Sequence, residues 1–168
     1  MPASYELYFI RHGVAEERGD KWPDDSKRPL SSEGMARLRR CARGLAGLGV
    51  TLDVVLTSPL VRARQTAEIV AAAFDPRPPI VTAEALSPGA TYSGVLTELE
   101  KHSKRLRIAL VGHETSIGEL AARFAGSRHA FEFKKGAVCR IDIERLPPAG
   151  PGSLRWFLTP RVLRTIKK

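Results

Sequence analysis

Apolar residues recur along this chain with two periods. Tyr5 to Ile10 (Tyr-Glu-Leu-Tyr-Phe-Ile), Asp53 to Thr57 and Arg107 to Val111 are short β-rich runs bounded by punctuating residues, and they read as buried strands. Met35, Leu38, Cys41 or Ala42, Leu45 and Leu48 recur at steps of three and four after Ser31-Ser32, with Gly47 and Gly49 marking the end of that helix. A second helix is expected from Ser58-Pro59, with the serine as cap, proline in the first turn and Ala63, Ala67, Val70 and Phe74 buried. A third is expected from Tyr92 to Lys101. A fourth follows the capping-box pattern Ser116 to Glu119, buries Leu120, Ala121 and Phe124, and stops at Gly126.

Strand and helix thus alternate through most of the chain, which implies right-handed crossovers and a mostly parallel sheet with helices on both faces, a three-layer α/β/α sandwich. The last part differs. Ala137 to Ile143 and Ser153 to Leu158 read as strands with no helix between them, so an antiparallel edge strand is expected.

Composition narrows the setting. With 168 residues and 43% apolar content the chain is expected to form a single domain over 1–168. No apolar run approaches the roughly 20 residues of a membrane helix, and Met1 to Ser4 lead straight into a strand, so a cytoplasmic protein without membrane contact is expected. Cys41 and Cys139 fall in apolar patterns as small hydrophobes; neither a disulfide nor a metal site is expected. The net charge of +9 suits a phosphorylated substrate as well as a polyanion. It is spread along the chain without aromatic interleaving, and nucleic acid is not expected as a partner.

In an open parallel sheet, ligands bind beyond the carboxyl ends of the strands. Arg11, His12 and Gly13 follow the first strand, Ser58 and Arg62 the second, and Gly112, His113 and Glu114 the strand ending at Val111. Two histidines and two arginines therefore converge on one rim. Guanidinium groups grip phosphate oxygens as a fork, and a neutral imidazole at position 12 can attack phosphorus while a second, at 113, donates to a nonbridging oxygen. Gly13 would let the backbone pass close to the anion, and Arg28 either lines the rim or pairs with Asp24 or Asp25. No cofactor is required by this chemistry. His102 and His129 lack such a context and read as polar boundary residues.

These residues resemble the histidine phosphatases, the phosphoglycerate mutase-like superfamily. Arg11-His12-Gly13, Ser58-Pro59-Leu60-Val61-Arg62-Ala63-Arg64-Gln65-Thr66 and Gly112-His113-Glu114 match the family's three motifs. The resemblance implies that His12 is the nucleophile and that Arg11, Arg62 and His113 form its phosphate pocket. Within the family, Arg28-Pro29-Leu30-Ser31, Leu86-Ser87-Pro88 and Trp156 to Pro160 look most like the SixA-type phosphohistidine phosphatases.

Ester hydrolysis needs an acid for the leaving oxygen, and Glu84 and Glu114 are the candidates. Glu114 is favoured because it directly follows His113. The expected function is dephosphorylation of phosphohistidine on a protein through a phosphohistidine enzyme intermediate. The alternatives are a phosphomonoesterase for small phosphorylated metabolites and a non-catalytic phosphoprotein-binding module. A monomer is expected.

Overall fold

The computed structural model describes residues 4–167; the expectation resting on residues 1–3, that no leader precedes the first strand, lies outside them. Six strands form one sheet: β1 (Tyr5–Arg11), β2 (Val54–Thr57), β3 (Ile80–Thr82), β4 (Arg107–Gly112), β5 (Val138–Ile143) and β6 (Ser153–Leu158). Their order is β3-β2-β4-β1-β5-β6. The first four are mutually parallel, β5 runs antiparallel to β1, and β6 runs antiparallel to β5. The helices are α1 (Ser32–Gly47), α2 (Val61–Ala72), α3 (Tyr92–Glu100), α4 (Ser116–Ala125) and a short α5 (Pro160–Leu163). Among the described residues no helix is long and apolar enough to cross a membrane.

Alternation along β1 divides the core. Leu7 and Phe9 face a layer with Leu56, Leu110, Val95 and Leu99 of α3, and Leu120 and Phe124 of α4. Tyr8 and Ile10 face the other layer, with Val55, Val111, Leu38 and Leu45 of α1, and Ala67 and Val70 of α2. All four β1 side chains are fully buried, each contributing about 1.5–3 kcal/mol of burial, so the two layers clamp the strand that ends in Arg11. The sandwich and its antiparallel edge are as the sequence predicts.

Two local expectations change, and one short helix is added. Helix α2 begins at Val61 and not at Ser58-Pro59, and its N-cap residue, Leu60, provides no side-chain cap. Ser58 is turned away to meet His113, accepting only the Leu60 amide from this turn. Ser116 and Glu119 do not form a capping box: Ser116 is already helical and accepts from the Gly89 amide. The carboxylate serving this end of α4 belongs to Glu114, which accepts from Gly118 N at 3.1 Å. Beyond β6, where no element was expected, Pro160 opens α5 with Thr159 as its cap.

Candidate active site

The carboxyl ends of β1, β2 and β4 are neighbours in the sheet, with Arg11 paired to Gly112 and Thr57 to Val111. That register brings the three motifs to one cavity of about 430 Å³, whose walls include Arg11, His12, Arg28, Arg62, His113 and Glu114. A cleft of similar volume between α1 and α2, lined by Arg39, Arg43 and Glu68 over an apolar floor, has no comparable convergence of buried polar groups.

His12 is buried, and its Nδ1 lies 2.7 Å from the carbonyl of Gly13. A carbonyl only accepts, so Nδ1 carries the ring proton and Nε2 keeps its lone pair. Burial pushes the pKa of His12 down to about 3, with the Gly13 hydrogen bond opposing and the charges of His113, Arg62 and Arg11 assisting. The ring is therefore neutral at ordinary pH, with a lone pair on Nε2.

His113 stands beside it, the ring centroids 5.2 Å apart. Its Nε2 is 2.7 Å from Ser58 Oγ, which also accepts the Leu60 amide at 3.3 Å. Ser58 Oγ has one proton and two lone pairs, so it can donate to Nε2 or accept from it; in the tautomer in which it donates, the neutral ring carries its proton on Nδ1. Burial and the nearby Arg62 charge lower the pKa of His113 to about 4.

Each arginine is anchored by the end of its guanidinium. Arg11 Nη1 donates to the Phe133 carbonyl at 2.6 Å. Arg62 donates from Nη1 to the Asp25 carbonyl at 2.8 Å and from Nη2 to Asp25 Oδ2 at 3.0 Å. Burial lowers the pKa of both. Arg11 Nε, Arg62 Nε and His113 Nδ1 are buried without any hydrogen-bond partner, one nitrogen from each of the three motifs. Buried polar atoms are rarely left unpaired, and the two guanidinium nitrogens can only donate, which points to an acceptor-rich ligand.

The remaining predicted residues divide. Arg28 is buried; its Nε donates to Asp25 Oδ1 at 2.8 Å and its Nη1 to the Glu16 carbonyl at 2.8 Å, so it both lines the cavity and pairs with Asp25. Gly13 has another reason to be glycine than the expected approach to an anion: a Cβ would press on Leu38 Cδ2 at 3.2 Å, and its amide donates to Thr66 Oγ1. Glu114 lines the cavity, but both its oxygens accept backbone amides, from Gly118 and, at 2.8 Å, from Phe133. Glu84 is exposed in the turn after β3 and accepts from Ser87 Oγ; the cavity wall takes Pro88 from that loop instead. Sequence reasoning missed the Phe133 carbonyl and the presence of Glu16, Glu17, Arg18 and Lys135 in the wall.

A mostly parallel sheet with an antiparallel edge and this set of side chains at its strand ends has the phosphoglycerate mutase-like fold. Residues 7–87 match the family described as the histidine phosphatase superfamily, branch 1. The chain belongs to that superfamily and is a hydrolase. It is 39% identical over 138 residues to an uncharacterized protein of Picosynechococcus sp., covering 79% of this chain and 82% of that protein. It is 25% identical over 164 residues to phosphohistidine phosphatase SixA of Escherichia coli, covering 96% of this chain and 98% of SixA. Among solved structures, the protein histidine phosphatase SixA complexed with tungstate superposes with a TM-score of 0.83 at 25% identity, covering 94% of this chain and 99% of that one.

Proposed function

We propose that this chain removes phosphate from phosphohistidine on a protein, by way of a phosphorylated His12. The observation that carries the phosphoryl-transfer reading is the trio of unpartnered nitrogens, Arg11 Nε, Arg62 Nε and His113 Nδ1, in the cavity that His12 also lines; His113 donates there in its Nδ1-protonated tautomer. In the first step Nε2 forms a bond to phosphorus while the bond from phosphorus to the substrate's ring nitrogen breaks. The three donors take the nonbridging oxygens as negative charge builds on them. Water then attacks the phosphohistidine, phosphate leaves, and His12 regains its lone pair.

The choice of a phosphoramidate rests on the acid. A phosphorylated imidazole takes a proton on its remote ring nitrogen from solvent and leaves neutral, whereas an alkoxide needs a proton delivered at the bridging oxygen. Glu114, the candidate nearest His113, has both oxygens committed to amides and acts as a strut: it holds Phe133, whose carbonyl holds Arg11. The relationship to SixA supports the same substrate class. One observation favours a phosphomonoesterase instead: Glu16 and Glu17 lie in the cavity wall and offer carboxyls near a leaving group.

The test is a direct comparison of substrates. The enzyme is incubated with a phosphohistidine-bearing carrier protein and, separately, with a panel of sugar and amino-acid phosphates. Release of phosphate from the carrier with kcat/KM at least about a hundredfold above any ester is expected. Efficient ester turnover with an untouched carrier would select the metabolite reading.

A further inference from the structure

Asp25 is a fourth carboxylate in the cavity wall, besides Glu114 and the pair Glu16 and Glu17, and its environment is unlike theirs. It opens a single 3-10 turn, Asp25–Lys27, which the side chain of Asp24 caps by accepting from Ser26 N at 3.0 Å. The turn sets Asp25 against α2, where its backbone carbonyl and Oδ2 both accept from Arg62, at 2.8 and 3.0 Å. Its other oxygen, Oδ1, accepts from Arg28 Nε at 2.8 Å, and Arg18 Nε lies 3.9 Å away. One half-exposed residue thus joins two buried guanidiniums.

Two consequences follow from the geometry of arginine. A guanidinium offers two forks, one at its end between Nη1 and Nη2 and one along its side between Nε and Nη2. Asp25 fills the end fork of Arg62, and the side fork retains a buried Nε without a partner. The second consequence is electrostatic. Arg28 and Arg62 each raise the cost of the other's charge, and a buried like-charged pair needs a counter-charge between its members. Asp25 supplies it while contacting both.

We propose that Asp25 is a positioning residue for phosphoryl transfer: it grips Arg62 by the end fork, holds Arg28 alongside, and so fixes the side fork of Arg62 for the oxygens of the transferred group. Its effect is exerted through Arg62 and not on the leaving group. The inference rests on the phosphoryl-transfer reading of the cavity.

Asp25→Ala and Asp25→Asn are compared with the wild type on p-nitrophenyl phosphate, phenyl phosphate and a phosphohistidine carrier, with thermal unfolding as a check on the fold. The expected result is a fall in kcat/KM of about tenfold or more for Asp25→Ala, by a similar factor on the nitrophenyl and phenyl esters, since a displaced guanidinium harms every leaving group alike. Asp25→Asn keeps the backbone carbonyl and one side-chain acceptor, and about a threefold fall is expected of it. If Asp25→Ala does not fold, Asp25→Asn decides, and no loss in that variant overturns the proposal. So does an Asp25→Ala enzyme as fast as or faster than wild type, which would make the carboxylate a competitor of the phosphoryl group. A loss confined to phenyl phosphate also overturns it, by making Asp25 the proton donor. A wild type that turns over none of the three substrates and does not bind tungstate refutes the reading of the cavity itself, and with it this inference.

Discussion

Two arginine clusters on the same sheet are treated in opposite ways. On the antiparallel side, Arg140 of β5 donates from Nε and Nη2 to the two oxygens of Asp142, pairs with Glu6 of β1 at 3.1 Å, and lies over the ring of Tyr8. Arg155 of β6 adds a second cation to Asp142 at 2.8 Å. The hydrogen bond to Asp142 raises the pKa of Arg140. At the carboxyl ends of the parallel strands, burial lowers those of Arg11 and Arg62, and each keeps an unpaired Nε. A buried donor without a partner costs about 1–3 kcal/mol. The first cluster is built for the folded state alone, while the second retains a local cost that a bound anion removes.

Breaking that contrast at its strongest point means removing the proposed nucleophile. His12→Ala should lower turnover by about 10⁴-fold or more and abolish the labelled phosphoenzyme trapped by acid quench. Next come the donors. Arg62→Ala or Arg11→Ala should cost about 10²–10³ in kcat/KM, the scale for one preorganised donor to a developing anion. Arg140→Ala should leave kcat/KM within about twofold of wild type and lower stability by about 1–2 kcal/mol in denaturant titration, because Glu6 loses its cation and Asp142 keeps only Arg155. An Arg140 variant that loses activity while unfolding normally would erase the distinction between the clusters.

Glu114 sharpens the comparison with a smaller effect. Glu114→Gln replaces one acceptor oxygen by an amide that faces a backbone N–H, from either Gly118 or Phe133, and loosens the carbonyl under Arg11. About a tenfold fall in kcat/KM is expected, equal for p-nitrophenyl and phenyl phosphates. A loss concentrated on phenyl phosphate would return Glu114 to the role of proton donor.

The layers of the fold were legible because they depend on local periodicity, and the three motifs because each follows a strand at the same end. Elements that depend on distant partners were not. The sequence pattern made Ser58 a helix cap, a role decided within a few residues; its actual partner, His113, is 55 positions away. Likewise the Phe133 carbonyl is 122 positions from the arginine it holds, and Asp25 is 37 from Arg62. Ser116 and Glu119 had the spacing of a capping box, but Glu114 reaches the Gly118 amide and links α4 to the Phe133 loop as well. A local rule identified the type of interaction and assigned it to the wrong residue.

The last expected effect is on stability and not on turnover, and it concerns acid. Burial depresses the pKa of His12 to about 3 and of His113 to about 4, against about 6.5 in an unfolded chain. Between those limits the unfolded state binds protons that the folded state does not, so the stability these rings permit is present above pH 6.5 and is lost as pH falls toward the folded values. At pH 5 the loss is on the order of 2 kcal/mol per ring. Asp25, whose pKa Arg28 lowers, acts in the same direction but below the window from 6.5 to 5, where unfolded carboxyls begin to titrate. Denaturant midpoints measured at pH 7 and pH 5 should therefore differ more in the wild type than in His113→Gln, which cannot titrate. The paired cluster around Arg140 contains no histidine, so Arg140→Ala should lower both midpoints while leaving their difference unchanged. Equal pH dependence in the wild type and His113→Gln would mean that His113 is solvated enough to titrate as a free ring, and its Nδ1 would then be no orphaned donor.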